Sequence, residues 1–314
     1  MCAVFGYLDY RGKLSDKIKQ KLIQALSVFA EIRGTDATGI SYVKNQSIVT
    51  FKKAAPAHQV DLFFPRNTKV VIGHTRMTTQ GSEKKNYNNH PFRGTCGKTS
   101  FSLAHNGVLY NDKELREQCH LPGTKIETDS YVAVQILEQE QQLNTENLKR
   151  MAELVDGSFV FTVLREDDTL FLIKGSNPLA IRHYPQLGLY LYASTEGILE
   201  HAVQLAGFHK QWEPISITDG EILQINSNGL CSKENFLVKK RLENRNSWSV
   251  LSELWDEEEE MLFYYSCFGV EKEDIRFLRS CGYLWDEIEE MLMQPELLEE
   301  TLQDQITYTS RKEA

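Results

Sequence analysis

Apolar residues along the first 240 positions follow two periods. Runs rich in Val, Ile, Phe and Tyr at 2–8, 38–43, 47–52, 69–74 and 101–105 predict strands, and a second set falls at 158–164, 169–174, 179–184, 188–193 and 221–226. Ile18, Leu22, Leu26 and Phe29 recur at helical spacing behind Ser15 or Asp16, either of which can cap a helix running to about Ile32. Further helical patterns lie at 112–119, 130–142, 145–154 and 196–206. Many strands with few helices between them predict two sheets packed face to face, with helices outside. KKRLENRNS (239–247) is a polar stretch with no apolar periodicity, and a boundary is expected there, giving domains 1–240 and 241–314. Beyond it, Leu251, Leu254, Trp255, Met261, Leu262 and Tyr265 keep helical spacing, as do Leu284, Trp285, Ile288, Met291 and Leu292. The string LWDEEEEML (254–262) nearly recurs as LWDEIEEML (284–292). A duplicated helical unit and two similar amphipathic helices both fit that pattern.

Charge sharpens the division. The 314 residues carry a net charge of −9. Residues 1–240 hold 28 basic and 25 acidic side chains, a net of +3, whereas 241–314 hold 7 and 19, a net of −12. A pI near 5.5 argues against nucleic acid as the main partner. No run of 18 or more apolar residues exists, which excludes a transmembrane helix, and MCAVFGYLDYRGK lacks a signal-peptide pattern, so no membrane partner is expected. Cys2, Cys96, Cys119, Cys231, Cys267 and Cys281 form no C-x-x-C pair and no zinc-spaced cluster with His. Six reduced thiols in a metal-free cytoplasmic protein are the expectation.

One of these thiols follows the initiator Met. Removal of Met1 is expected because Cys2 is small, and it leaves a thiol and a free α-amine on one residue. The thiolate is the nucleophile. An α-amine titrates near pH ~7.7–8.0 and so serves as a general base at working pH. A nucleophile activated by its own amine is an established arrangement.

Four further strings stand in order behind Cys2: RGTDATG (33–39), GHTRMTTQG (73–81), LAHNGVLYN (103–111) and ETDS (127–130). Taken singly they have structural explanations. Asn106-Gly107 suits a tight turn, Asp129 a helix N-cap, Arg76 a surface ion pair and His90 a structural histidine. Taken together, at these spacings, they resemble the class II glutamine amidotransferase domain, an N-terminal-nucleophile hydrolase. The likeness is closest to the glutaminase halves of glucosamine-6-phosphate synthase and glutamine phosphoribosylpyrophosphate amidotransferase. It continues through DGSFVFTVL (156–164) and ASTEGIL (193–199).

The resemblance implies an α+β fold, a four-layer αββα sandwich over 1–240, followed by a small acidic helical region. It implies that Cys2 attacks the glutamine side-chain amide and forms a γ-glutamyl thioester. Asn106 and the Gly107 N–H would form the oxyanion hole, Arg76 would grip the α-carboxylate and Asp129 the α-ammonium. Thr79 and His90 fall on family positions lining or closing the site. Gly34, Asp36 and Gly39 are expected to shape a loop. The chain departs from the family at Ala3, where Gly is frequent, at Met77, where Trp or Tyr is usual, and at Gln80, where glucosamine-type enzymes have His. No cofactor is implied. The 74 residues after 240 are too few for a synthase domain, and no phosphate loop or dinucleotide fingerprint is present. The expectation is a stand-alone glutaminase that supplies ammonia to a separate synthase docked through 245–314. The alternatives are a free γ-glutamyl amidohydrolase and an idle binding or regulatory module, which a retained Met1 would favour.

Overall fold

The computed structural model describes residues 2–239, 270–283, 287–288, 291 and 295–312. The chain divides into two compact units, 1–242 and 243–314.

In the first unit the strands that position the site are those with unbroken apolar runs. β1 (Ala3–Asp9) is buried at every residue, as a strand covered on both faces must be. It lies at the middle of a seven-stranded sheet with β2 (Ala37–Lys44), β3 (Ser47–Lys53), β4 (Val70–Arg76), β9 (Ala180–Tyr184), β10 (Leu189–Ala193) and the two-residue β11 (Glu213–Pro214), in the order β11-β9-β10-β1-β4-β2-β3. The second sheet runs β13-β12-β8-β7-β6-β5, from β5 (Phe92–Cys96), β6 (Thr99–Leu109), β7 (Gly157–Arg165), β8 (Leu170–Lys174), β12 (Glu221–Ile225) and β13 (Cys231–Asn235). The strand pairings in both sheets are antiparallel.

Leu8, Val70 and Ile72 of the first sheet meet Leu164, Leu172 and Ile225 of the second in a core between the sheets. Helix α1 (Asp16–Phe29) starts where the Ser15 hydroxyl accepts the Ile18 N–H, and it packs with α5 (Glu196–Leu205) over the first sheet. α2 (Asp112–Gln118), α3 (Tyr131–Glu138) and α4 (Thr145–Leu154) cover the second, on a core that includes Val134, Leu137, Leu148 and Met151. The result is the expected α+β, four-layer αββα sandwich.

Several expectations shift locally. α1 ends at Phe29 and residues 30–33 tighten into a 3-10 turn. α3 stops at Glu138, where its apolar face ends and the run QEQQ begins. β5 was not legible because its only large apolar side chain is Phe92. β13 was not legible because CSKEN is polar and exposed throughout, as suits an edge strand. In the second unit the described helices are α6 (Lys272–Ser280), with Ile275 and Leu278 buried, and α7 (Pro295–Lys312). The helix expected over 251–265 lies outside the described residues, as does most of LWDEIEEML. Among the described residues, no helix is long and apolar enough to cross a membrane.

Candidate active site

Register brings the first two candidates together. β1 pairs with β4 so that Ala3 opposes Thr75, which sets Cys2 and Arg76 side by side at one end of the sheet. The Cys2 thiol is buried and donates to the Met77 carbonyl at 3.5 Å. The Arg33 Nε–H donates to the Cys2 carbonyl at 3.0 Å. Burial pushes the Cys2 thiol up, and the Arg76 guanidinium pulls it the other way.

Arg76 is not a surface residue. Its side chain is enclosed, and it donates to Asn89 Oδ1 at 2.6 Å, to the Gln80 carbonyl at 2.6 Å and to the Gly81 carbonyl at 3.4 Å. These bonds use at most three of its five N–H groups. Burial pushes the guanidinium below its ordinary value, while Cys2, Asp36 and Asp129 act to restore it.

The RGTDATG loop has a role as a brace. A Cβ on Gly34 would lie 2.4 Å from the Arg76 carbonyl carbon, so only glycine lets the two backbones approach. Asp36 then receives the Thr78 N–H at 2.7 Å, and its own N–H donates to the Arg76 carbonyl at 2.9 Å. Gln80 extends to Asp112 Oδ2 at 3.2 Å and ties the same loop to α2.

Asn106 and Gly107 lie in strand, not in a turn. They pair with Val160 and Phe159 of β7. Gly107 has φ +146°, and a Cβ there would meet the Ser158 carbonyl oxygen at 1.8 Å. The Asn106 carboxamide is buried: Nδ2 donates to Ser194 Oγ at 3.3 Å and Oδ1 has no partner. Ser194 Oγ accepts the Val4 N–H at 2.9 Å, so the oxyanion candidate on one sheet reaches the nucleophile's strand on the other.

Asp129 precedes α3 but its side chain does not cap it. Its Oδ2 accepts the Leu109 N–H at 2.7 Å and its Oδ1 the Ser130 hydroxyl at 3.2 Å. Ser130 in turn meets His105 Nδ1 at 2.6 Å. The Asp129 charge acts on both the Cys2 thiol and the Arg76 guanidinium, so the three lie within electrostatic reach of one another.

Thr79 and His90 fare differently. Thr79 is exposed, and it is the neighbouring Thr78 whose hydroxyl is buried without a partner. His90 is buried with both nitrogens unpartnered, its ring 4.2 Å from that of His74 and 6.4 Å from that of His105. Burial pushes His90 well below its ordinary value.

Asn88 and Asn89 are among the residues the sequence reading missed. Asn89 holds Arg76, and Asn88 exchanges bonds with the residues beside Asp129: its Oδ1 accepts the Glu127 N–H at 2.9 Å, and its carbonyl accepts the Thr128 hydroxyl at 2.7 Å. The string NNHPF drew attention to its His alone; two fully buried Asn side chains beside it carry no hydropathy signal. Among the described residues no cluster of three or more His, Cys, Asp or Glu could hold a metal ion.

Residues 74–200 match the family described as "Glutamine amidotransferase domain". Over those residues the chain is similar to a glutamine amidotransferase domain. Over 191 residues it is 33% identical to the glutamine–fructose-6-phosphate aminotransferase (isomerizing) of Staphylococcus aureus strain Mu50, an alignment that covers 58% of this chain and 30% of that one. The same figures hold for the enzyme of that name from Staphylococcus epidermidis strain RP62A. The chain therefore spans about a third of the length of these relatives. In fold it is similar to glutamine phosphoribosylpyrophosphate amidotransferase from B. subtilis, with a TM-score of 0.58 and 22% identity over 75% of this chain and 49% of that one. The matched span of the amidotransferase domain contains Arg76, Thr79, His90, Asn106, Gly107, Asp129 and Ser194, and Cys2 lies ahead of it.

Proposed function

We propose that this amidotransferase domain hydrolyses the side-chain amide of glutamine to glutamate and ammonia through a thioester on Cys2. The observation that supports it most is the meeting of a buried thiol with one buried cation, Arg76, and one buried anion, Asp129, beside an oxyanion-type Asn-Gly pair. An α-amino acid bears one carboxylate and one ammonium, so this pair of charges suits its backbone end. Its protein bonds leave at least two of the five Arg76 N–H groups to meet the carboxylate, and Asp129 takes the ammonium.

With the amino-acid end clamped, Cys2 Sγ attacks the amide carbon. The thiol proton passes to the α-amine freed by loss of Met1, and the carbonyl oxygen becomes an oxyanion held by Asn106 Nδ2 and the Gly107 N–H. Collapse breaks the C–N bond as the amine returns its proton to the nitrogen, and ammonia leaves. Water, deprotonated by the same amine, then cleaves the thioester to glutamate and the free thiol.

Ammonia release from glutamine by the purified chain tests the proposal. Turnover should vanish in Cys2→Ala, and a Cys2→Ala variant at the wild-type rate would refute it. Arg76→Lys should chiefly raise KM for glutamine, because an ammonium cannot serve Asn89, the loop carbonyls and the carboxylate together as the guanidinium can. Delivery of the ammonia to a separate synthase through 245–314 is a companion proposal. Deleting that segment should abolish any stimulation by the acceptor protein while leaving basal turnover, and undiminished stimulation would refute it.

A further inference from the structure

Ser194 stands at the junction of the two sheets, directly after β10, with no exposed surface. Its main chain is fixed by its own N–H, which donates to the Val4 carbonyl at 2.9 Å. Its hydroxyl makes three contacts. It accepts the Val4 N–H at 2.9 Å, accepts Asn106 Nδ2 at 3.3 Å and donates to the Val4 carbonyl at 3.4 Å. A serine hydroxyl has two lone pairs and one proton, so these contacts exhaust it.

We propose that Ser194 is a positioning residue: its hydroxyl ties the Asn106 carboxamide to the nucleophile's strand and fixes which edge of that carboxamide faces the reacting carbonyl. The proposal rests on the glutaminase reading above. Val4 takes one lone pair through its N–H and the hydroxyl proton through its carbonyl, so only a lone pair is left for Asn106 and the carboxamide turns its NH2 toward Ser194. One N–H is spent there and the other is free to meet an oxyanion. The flipped carboxamide would bury both N–H groups where Oδ1 now has no partner, which is the costlier arrangement.

The main chain of Asn106 is held by other means. Its carbonyl accepts Asn177 Nδ2 at 2.8 Å, and it pairs with Val160 in the sheet. Ser194 therefore acts on the rotation of the side chain and not on the course of the strand. Val4 is two residues from Cys2, so one hydroxyl sets the oxyanion donor against the strand that carries the nucleophile.

The test compares full-length wild type, Ser194→Ala, Ser194→Cys, Asn106→Ala and the Ser194→Ala/Asn106→Ala double variant. Ser194→Cys is nearly isosteric and offers only a weak acceptor, so it serves should Ser194→Ala fail to fold. Three quantities are read: kcat and KM for glutamine, the affinity for glutamate, and the inhibition constant of a γ-glutamyl aldehyde that adds to a thiol as a hemithioacetal. Removing an oxyanion donor costs about 10²–10³ in kcat, and misorienting one should cost about 10–100-fold. Ser194→Ala and Ser194→Cys should lose that much in kcat and bind the aldehyde about tenfold more weakly. KM and glutamate affinity should stay within about twofold, because neither depends on the oxyanion.

In the Asn106→Ala background the second substitution should cost nothing further, since Ser194 would have no side chain left to orient. Wild-type kcat in Ser194→Cys, or an undiminished loss on top of Asn106→Ala, would overturn the proposal. A wild-type chain that releases no ammonia and takes up no aldehyde would overturn the glutaminase reading itself, and this proposal with it.

Discussion

At the scale of single residues, the site depends on side chains whose surroundings leave them no choice. Gly107 has a φ that L-residues rarely adopt, and its missing Cβ is replaced in space by the Ser158 carbonyl. Gly107→Ala should therefore destabilise the fold by more than about 2 kcal/mol, measured by urea unfolding. A variant of wild-type stability would show that the strand can relax there. Asn89→Ala removes the acceptor of one buried guanidinium N–H, which should cost about 1–3 kcal/mol and raise KM for glutamine more than it lowers kcat. An unchanged KM would mean that Arg76 needs no such support. Residue types and order singled out Cys2, Arg76, Asn106 and Asp129 as candidates in the sequence. Their supports, Asn88, Asn89, Ser130 and Ser194, were not singled out, because a buried polar side chain that serves another residue leaves no periodic or compositional trace.

At the scale of elements, the strands with long apolar runs were legible and those at sheet edges were not. β13 is polar because an edge strand needs no apolar face, and β6 runs beyond its apolar segment because HNG continues in pairing with β7. The segment following β4 shows how loops are built here. Gly34 lets one loop approach Arg76, Asp36 anchors the Thr78 N–H, and Gln80 reaches α2. Gly34→Ala should push this segment away from Arg76, raising KM for glutamine severalfold while the thermal midpoint falls by only a few degrees, about what ~1 kcal/mol produces. Equal losses in KM and in stability at Asp36→Ala and Gly34→Ala would be consistent with one brace. A Gly34→Ala enzyme with native KM would separate the loop from the site.

At the scale of the whole molecule, burial of histidine sets the response to acid. His74, His90 and His105 lie between the sheets. Burial lowers His74 from its ordinary 6.5 to about 3 and pushes His90 and His105 down as well. Below about pH 6.5 the unfolded chain binds protons that the folded chain refuses, so stability must fall as pH drops toward 3. Each such histidine adds a slope of up to about 1.4 kcal/mol per pH unit. Urea midpoints should be nearly level from pH 8 to 7 and drop steeply below 6, and a level profile down to pH 5 would contradict the buried neutral cluster. The division at 242 carries its own prediction. The segment 1–242 made alone should unfold in one cooperative transition and keep glutaminase turnover, while loss of both would show that the remainder is needed for folding.

Whether a processed Cys2 is the nucleophile is read from the intact mass of the purified chain, with and without a glutamine-mimicking diazoketone. A mass lacking Met1 is expected, with one adduct per chain in wild type and none in Cys2→Ala. A chain that retains Met1, or that loses it and takes no adduct, would contradict that role for Cys2.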